Sequence, residues 1–74
     1  MRLILPPMTF GKRLKTIRKK RGLTQRELGR RAAFTQVYVA QLEAGASGTD
    51  LKVRTVKRLA KALRVPVIDL LAGV

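Results

Sequence analysis

The chain is 74 residues long, with 17 Lys and Arg against four acidic residues, a formal net charge of +13, and neither Cys nor His. That length supports one small domain around a single core, and the missing thiols and imidazoles exclude disulfides, ordinary zinc sites and the usual nucleophile–base chemistry. An excess of cations repels itself in a compact fold unless a polyanion shares it, which leaves DNA, RNA or an anionic membrane surface as partners of the right charge.

Residues 1–8 read as an N-terminal extension and residues 9–74 as the domain. Leu3, Ile4 and Leu5 stand before Pro6-Pro7, which bars a helix and leaves an apolar run far too short for a signal-peptide core. No stretch approaches the roughly 20 apolar residues of a membrane span, so the reading is cytoplasmic and nucleoid-associated. From Thr9 onward the chain punctuates itself into short helices. Thr9 caps the first, in which Phe10, Leu14, Ile17 and Arg21 recur at helical spacing until Gly22, with Lys12, Arg13, Lys15, Lys19 and Lys20 opposite. Arg18 shares the apolar stripe, so its head needs a partner; of the few acids, Glu43 lies beside the inward Leu42.

Thr24 with Glu27 is a capping box for a second helix running through Leu28 to about Ala32. Ala33-Phe34 is a tight connection, and Thr35 caps a third helix with Val39 and Leu42 inward, ending near Gly45. Ala46 to Asp50 is a loop by composition, with Thr49 or Asp50 available to cap the next helix. Val53, Val56, Leu59, Ala60 and Leu63 form one face of that fourth helix. Pro66 suits the first turn of a fifth, with Val67, Ile68, Leu70 and Leu71 apolar and Gly73 after it. None of these helices is long enough to stand alone, so the fold class is all-α, a compact five-helix bundle.

Two short helices joined by so brief a turn must cross steeply, as in a helix-turn-helix. A close crossing needs a small residue at the contact. Glycine inside a helix costs about 1 kcal/mol, so Gly29 is placed there for packing. The outward face of the third helix then presents Gln36, Val37, Ala40 and Gln41. A Gln amide pairs bidentately with adenine and Val offers an apolar contact to a thymine methyl, while no acid, nucleophile or base lies there. This face can read a duplex and has nothing with which to react: no catalytic residue, metal, cofactor or small-molecule ligand is expected.

Residues 9–72 resemble the five-helix DNA-binding domain of the Cro and phage-repressor type, the xenobiotic-response-element regulator family. The resemblance rests on Leu23-Thr24-Gln25, Glu27-Leu28, Thr35-Gln36, Gln41-Leu42-Glu43, Gly45 and Leu59-Ala60-Lys61-Ala62-Leu63, in that order and spacing. It implies that Gln36, Val37 and Gln41 read bases and that Thr35 meets backbone or a thymine methyl. Gln25 would contact a phosphate and brace Gln36, and an Arg18–Glu43 ion pair would serve as an internal strut near a phosphate. It further implies phosphate contacts from backbone amides at helix N-termini and from Ala44 to Gly48 after the third helix. Arg26, Arg30 and Arg31 lie near the expected groove, whereas Tyr38 either stacks on the core edge or reaches a phosphate through its hydroxyl. The family's usual turn glycine is Ala33 here, so the turn either strains by about 1 kcal/mol or bends differently.

The resulting expectation is a dimeric, sequence-specific regulator, most simply a repressor, bound to a partly palindromic double-stranded operator. Pairing would use Val65 to Val74, joined by Leu3 to Leu5. Two alternatives are an antitoxin-type DNA-binding partner of a toxin and a charge-driven general nucleic-acid binder. The latter would carry exposed stacking aromatics or Gly-rich basic repeats, which the sequence lacks. A membrane-active helix would need a continuous amphipathic face, and the apolar stripe is instead broken into short capped helices.

Overall fold

A computed structural model of the chain describes residues 9–45 and 52–71. The expected helices are α1 (Phe10–Lys20), α2 (Gln25–Ala32), α3 (Gln36–Ala44), α4 (Val53–Leu63) and α5 (Val67–Leu71). The expectations placed on residues 1–8, on Gly48 and on residues 72–74 lie outside the described residues.

Three threonines start three helices. Thr9 Oγ1 accepts the Lys12 amide at 3.2 Å, Thr24 Oγ1 that of Glu27 at 3.0 Å, and Thr35 Oγ1 that of Tyr38 at 3.0 Å. The Thr24 amide in turn donates to Glu27 Oε1 at 2.9 Å, completing the capping box. That backbone hydrogen bond, with the Thr24 side-chain contact, holds the Glu27 carboxyl below its usual range. A depressed folded-state pKa gives stability that is present above the unfolded value and is lost as the pH falls through the folded one. Helix α4 departs from the sequence reading. Its N-cap is Lys52, which makes no side-chain cap, so neither Thr49 nor Asp50 holds that position.

The C-termini of α1, α2 and α4 share one device. Leu23 N donates to Arg18 O at 3.1 Å, Phe34 N to Gly29 O at 2.7 Å and Val65 N to Ala60 O at 3.0 Å, and the residue before each donor bonds a carbonyl three residues back. These are Schellman caps, which require a left-handed residue. Gly22 supplies it without a Cβ penalty (φ 70°), whereas Ala33 (φ 59°) and Arg64 (φ 57°) adopt it under strain. Ala33 therefore takes the strained of the two turns open to it. Left-handed strain of about 1–2 kcal/mol, less about 0.4–1 kcal/mol for glycine's freedom in the unfolded chain, predicts that Ala33→Gly raises stability by about 0.5–1 kcal/mol. Thermal melts check this, and a lower melting temperature for the variant would contradict it.

The six largest fully buried side chains are Leu14, Leu28, Val39, Leu59, Leu63 and Leu70, so every helix contributes at least one. Helix α3 packs on α1 and α2, α4 packs on α2 and α5, and α5 packs back on α1. Close approach at two points depends on glycine. A Cβ on Gly29 would lie 2.7 Å from Phe34 O in the turn between α2 and α3, and one on Gly11 would lie 2.5 Å from both Leu42 O and Glu43 O. Two inward assignments change. Val53 is 68% exposed while Thr55 is buried, because the buried face of α4 runs through Thr55, Val56, Leu59, Ala60 and Leu63 and leaves the first residue outside it. Arg21 is exposed, and Gly11 and Arg18 take its place on the buried side of α1.

Candidate nucleic-acid interface

Helix α3 has two faces about 140° apart, set by its turn of about 100° per residue. Val39, Leu42 and Glu43 are buried on one. On the other, Val37 and Gln41 are exposed with Ala40 half-buried beside them, and Gln36 is exposed at the N-terminal end of the helix. Val37 is 66% exposed, a large apolar side chain in water that gains nothing from the fold. The short Ala33-Phe34-Thr35 link projects the N-terminus of α3 from the bundle with its first amides free for an acceptor, except the Tyr38 amide taken by Thr35. The Thr35 hydroxyl still has its own hydrogen to donate.

Behind this face lies a buried polar network. Arg18 Nε donates to Glu43 Oε2 at 2.6 Å, Nη2 to Glu43 Oε1 at 3.0 Å and Nη1 to Leu23 O at 2.7 Å. Arg18 and Glu43 are both buried, 7% and 8% exposed. Three donors of the guanidinium are thus turned to acceptors inside the protein, which makes Arg18 an internal strut. Gln25 Nε2 donates to Glu43 Oε1 at 3.2 Å, so the amide braces the C-terminal end of α3 through the ion pair. One carboxylate near the end of α3 therefore ties together α1, the α1–α2 link and the start of α2.

The Tyr38 ring stacks at the core edge. It lies 4.9 Å from that of Phe34, and both rings pack partly buried against the core. Arg26, Arg30 and Arg31 are exposed on α2, and Ala44 is exposed at the last turn of α3. Sequence reasoning did not single out Arg58. Its Nε and Nη2 donate to Ala32 O at 3.0 and 2.7 Å, Nη2 also donates to Ala33 O at 2.9 Å, and the guanidinium lies 4.2 Å over the Phe34 ring. Arg21 Nη2 likewise donates to Arg64 O at 3.3 Å. Each strained, non-glycine helix end is thus met by an arginine from another element, at the carbonyl end where a cation is favoured. The signal that could have found this is the missing turn glycine, which leaves carbonyls in need of a donor.

Among the described residues, no group of three or more His, Cys, Asp or Glu could hold a metal, and no helix is long and apolar enough to cross a membrane.

Comparisons with known proteins agree on the fold. The chain is 35% identical over 64 residues to a Bacillus subtilis protein described as the uncharacterized HTH-type transcriptional regulator RghRB, covering 86% of this chain and 45% of that relative's length. The restriction-modification controller protein C.AhdI from Aeromonas hydrophila superposes with a TM-score of 0.76 at 30% identity, over 82% of this chain and 89% of the other. The P22 c2 repressor, in a complex with a synthetic operator, matches with a TM-score of 0.76 at 30% identity, over 90% and 98% of the two chains. A family model described as helix-turn-helix matches residues 14–70. The unit built from α2, the Ala33-Phe34 turn and α3 is the centre of that match, and the chain belongs to the helix-turn-helix family of the Cro and phage-repressor type.

Proposed function

We propose that the protein is a transcriptional regulator that binds duplex DNA in a sequence-specific manner, with α3 in the major groove. The single observation that carries this reading is the exposed face of α3, where Gln36, Val37 and Gln41 stand clear of the core on a helix fixed from behind by the Arg18–Glu43–Gln25 network. Two bidentate amides and one apolar side chain suit adenine edges and a thymine methyl. Phosphates would be met by the Thr35 hydroxyl, the amides at the start of α3 and the exposed Arg26, Arg30 and Arg31, which position the helix and carry no sequence information. The operator-bound P22 c2 repressor and the regulator RghRB support a regulatory, repressor-like role in a class that is not enzymatic.

A single domain touches one half-site, so a second copy is needed to read a palindrome. Ile68 (66% exposed) and Leu71 (41%) on α5 supply an apolar surface for pairing. Two copies so paired would place their α3 helices about one DNA turn, roughly 34 Å, apart. Selection of duplexes from a random pool tests the reading: a partly palindromic consensus with half-sites about 10 base pairs apart is expected. Recovery of no consensus, with affinity falling equally steeply with salt on every sequence, would instead assign the +13 charge to non-specific binding.

A further inference from the structure

We propose that Arg58 is a positioning residue for base readout, holding the α2–α3 turn from α4 and so fixing the pose of the reading face of α3. The proposal rests on the reading of α3 as the base-contacting helix.

The turn is the weak point of this helix-turn-helix. Ala33 adopts φ 59° against its own Cβ, and Phe34 places a bulky ring where the chain must reverse. The carbonyls of the last turn of α2 also need donors that the helix does not supply. Arg58 answers each need with one rigid group. Its planar fork reaches Ala32 O twice (3.0 and 2.7 Å) and Ala33 O once (2.9 Å), while its face covers the Phe34 ring at 4.2 Å. Phe34 in turn packs on Tyr38, in the first turn of α3, at 4.9 Å. A continuous line of contact therefore runs from α4 through Arg58, Phe34 and Tyr38 to the start of α3, next to Gln36 and Val37. Lysine cannot replace this arrangement: it has the charge but neither the planar face nor the fork. With Nε and Nη2 turned to protein carbonyls, Arg58 acts on the geometry of reading and not on phosphate.

The test compares the wild type with Arg58→Lys, Arg58→Met and the double variant Arg58→Met/Ala33→Gly, each at a temperature where circular dichroism shows it fully folded. The readouts are affinity for the selected consensus duplex relative to duplexes with single base changes, and the slope of log affinity against log salt. The glycine relieves the turn strain and keeps a folded protein available without restoring the clamp. All three variants are expected to lose at least about fivefold in base discrimination, the low end of what one bidentate base contact supplies, with the salt slope unchanged. Unchanged discrimination with a slope smaller by about 0.9 would make Arg58 a phosphate ligand and overturn the proposal. Unchanged discrimination with only a lower melting temperature, or discrimination fully recovered in the double variant, would reduce Arg58 to a stability element and also overturn it. A wild type that shows no base preference would overturn the α3 reading and the proposal together, whereas a selective wild type with unaffected Arg58 variants overturns the proposal alone.

Discussion

Glu43→Ala is expected to destabilise the protein by about 3–5 kcal/mol, the penalty of leaving one member of a buried ion pair without its partner. At roughly 0.05–0.15 kcal/mol per residue, a chain of 74 residues has a total stability of about 4–11 kcal/mol. The single substitution thus removes a large share of it. The reason is local. With the carboxylate gone, the Arg18 guanidinium stays buried with Leu23 O as its remaining acceptor, and Gln25 loses its partner. Urea denaturation should show the loss as a lower midpoint with little change in slope. The pair is not required for stability as such: Arg18→Met/Glu43→Leu, which fills the space with apolar side chains, should recover most of the loss. A Glu43→Ala protein that melts with the wild type would show that the pair contributes no structural support.

Gly11→Ala should cost about 3 kcal/mol, at the upper end for overpacking, although alanine is the better helix former. On propensity alone the change would stabilise α1, by less than the about 1 kcal/mol of a helix interior because Gly11 lies in the first turn, so the sign of the effect separates the two influences. A Cβ at this position meets two backbone carbonyls, Leu42 O and Glu43 O, each at 2.5 Å, and backbone cannot rotate away as a side chain can. The helices must separate, and the carbonyl that is pushed belongs to Glu43 itself. Because the two sites share that residue, Gly11→Ala and Glu43→Ala are expected to be non-additive, with the double variant less damaged than the sum. A melting temperature for Gly11→Ala equal to or above that of the wild type would contradict the close α1–α3 contact.

The contrast between Gly29 and Gly11 shows what the sequence could carry. Gly29 interrupts a strong helical pattern beside a very short turn, so its cost demands a packing reason that local reading supplies. Gly11 sits in the first turn of α1, where a glycine is cheap and unremarked, and its reason lies across the core on α3. The five helices were legible because threonine caps, apolar spacing and short polar links all act within a few residues. The Arg18–Glu43 pair was legible because a cation within an apolar stripe needs an acid and the acids are few. Arg58 was not, because it differs from its neighbours Arg54, Lys57 and Lys61 only in what it faces, carbonyls about 25 residues away on another helix. Val53 fits the periodicity of α4 yet lies in water, since a helical stripe marks a direction and not where the core ends. The Gln25–Glu43 hydrogen bond was not legible for a related reason: a long amide chooses among acceptors by tertiary distance.

The central claim is that the exposed face of α3 reads bases. The most direct measurement is the affinity of Gln41→Ala for the selected consensus duplex, for single-base variants of it and for unrelated DNA, all at one salt concentration. Gln41 is exposed, and its replacement leaves the core and the Arg18–Glu43 network intact. Discrimination should relax by about 1–3 kcal/mol at one position of each half-site, with affinity for unrelated DNA unchanged. An equal loss on every sequence, or no loss on any, would contradict the claim.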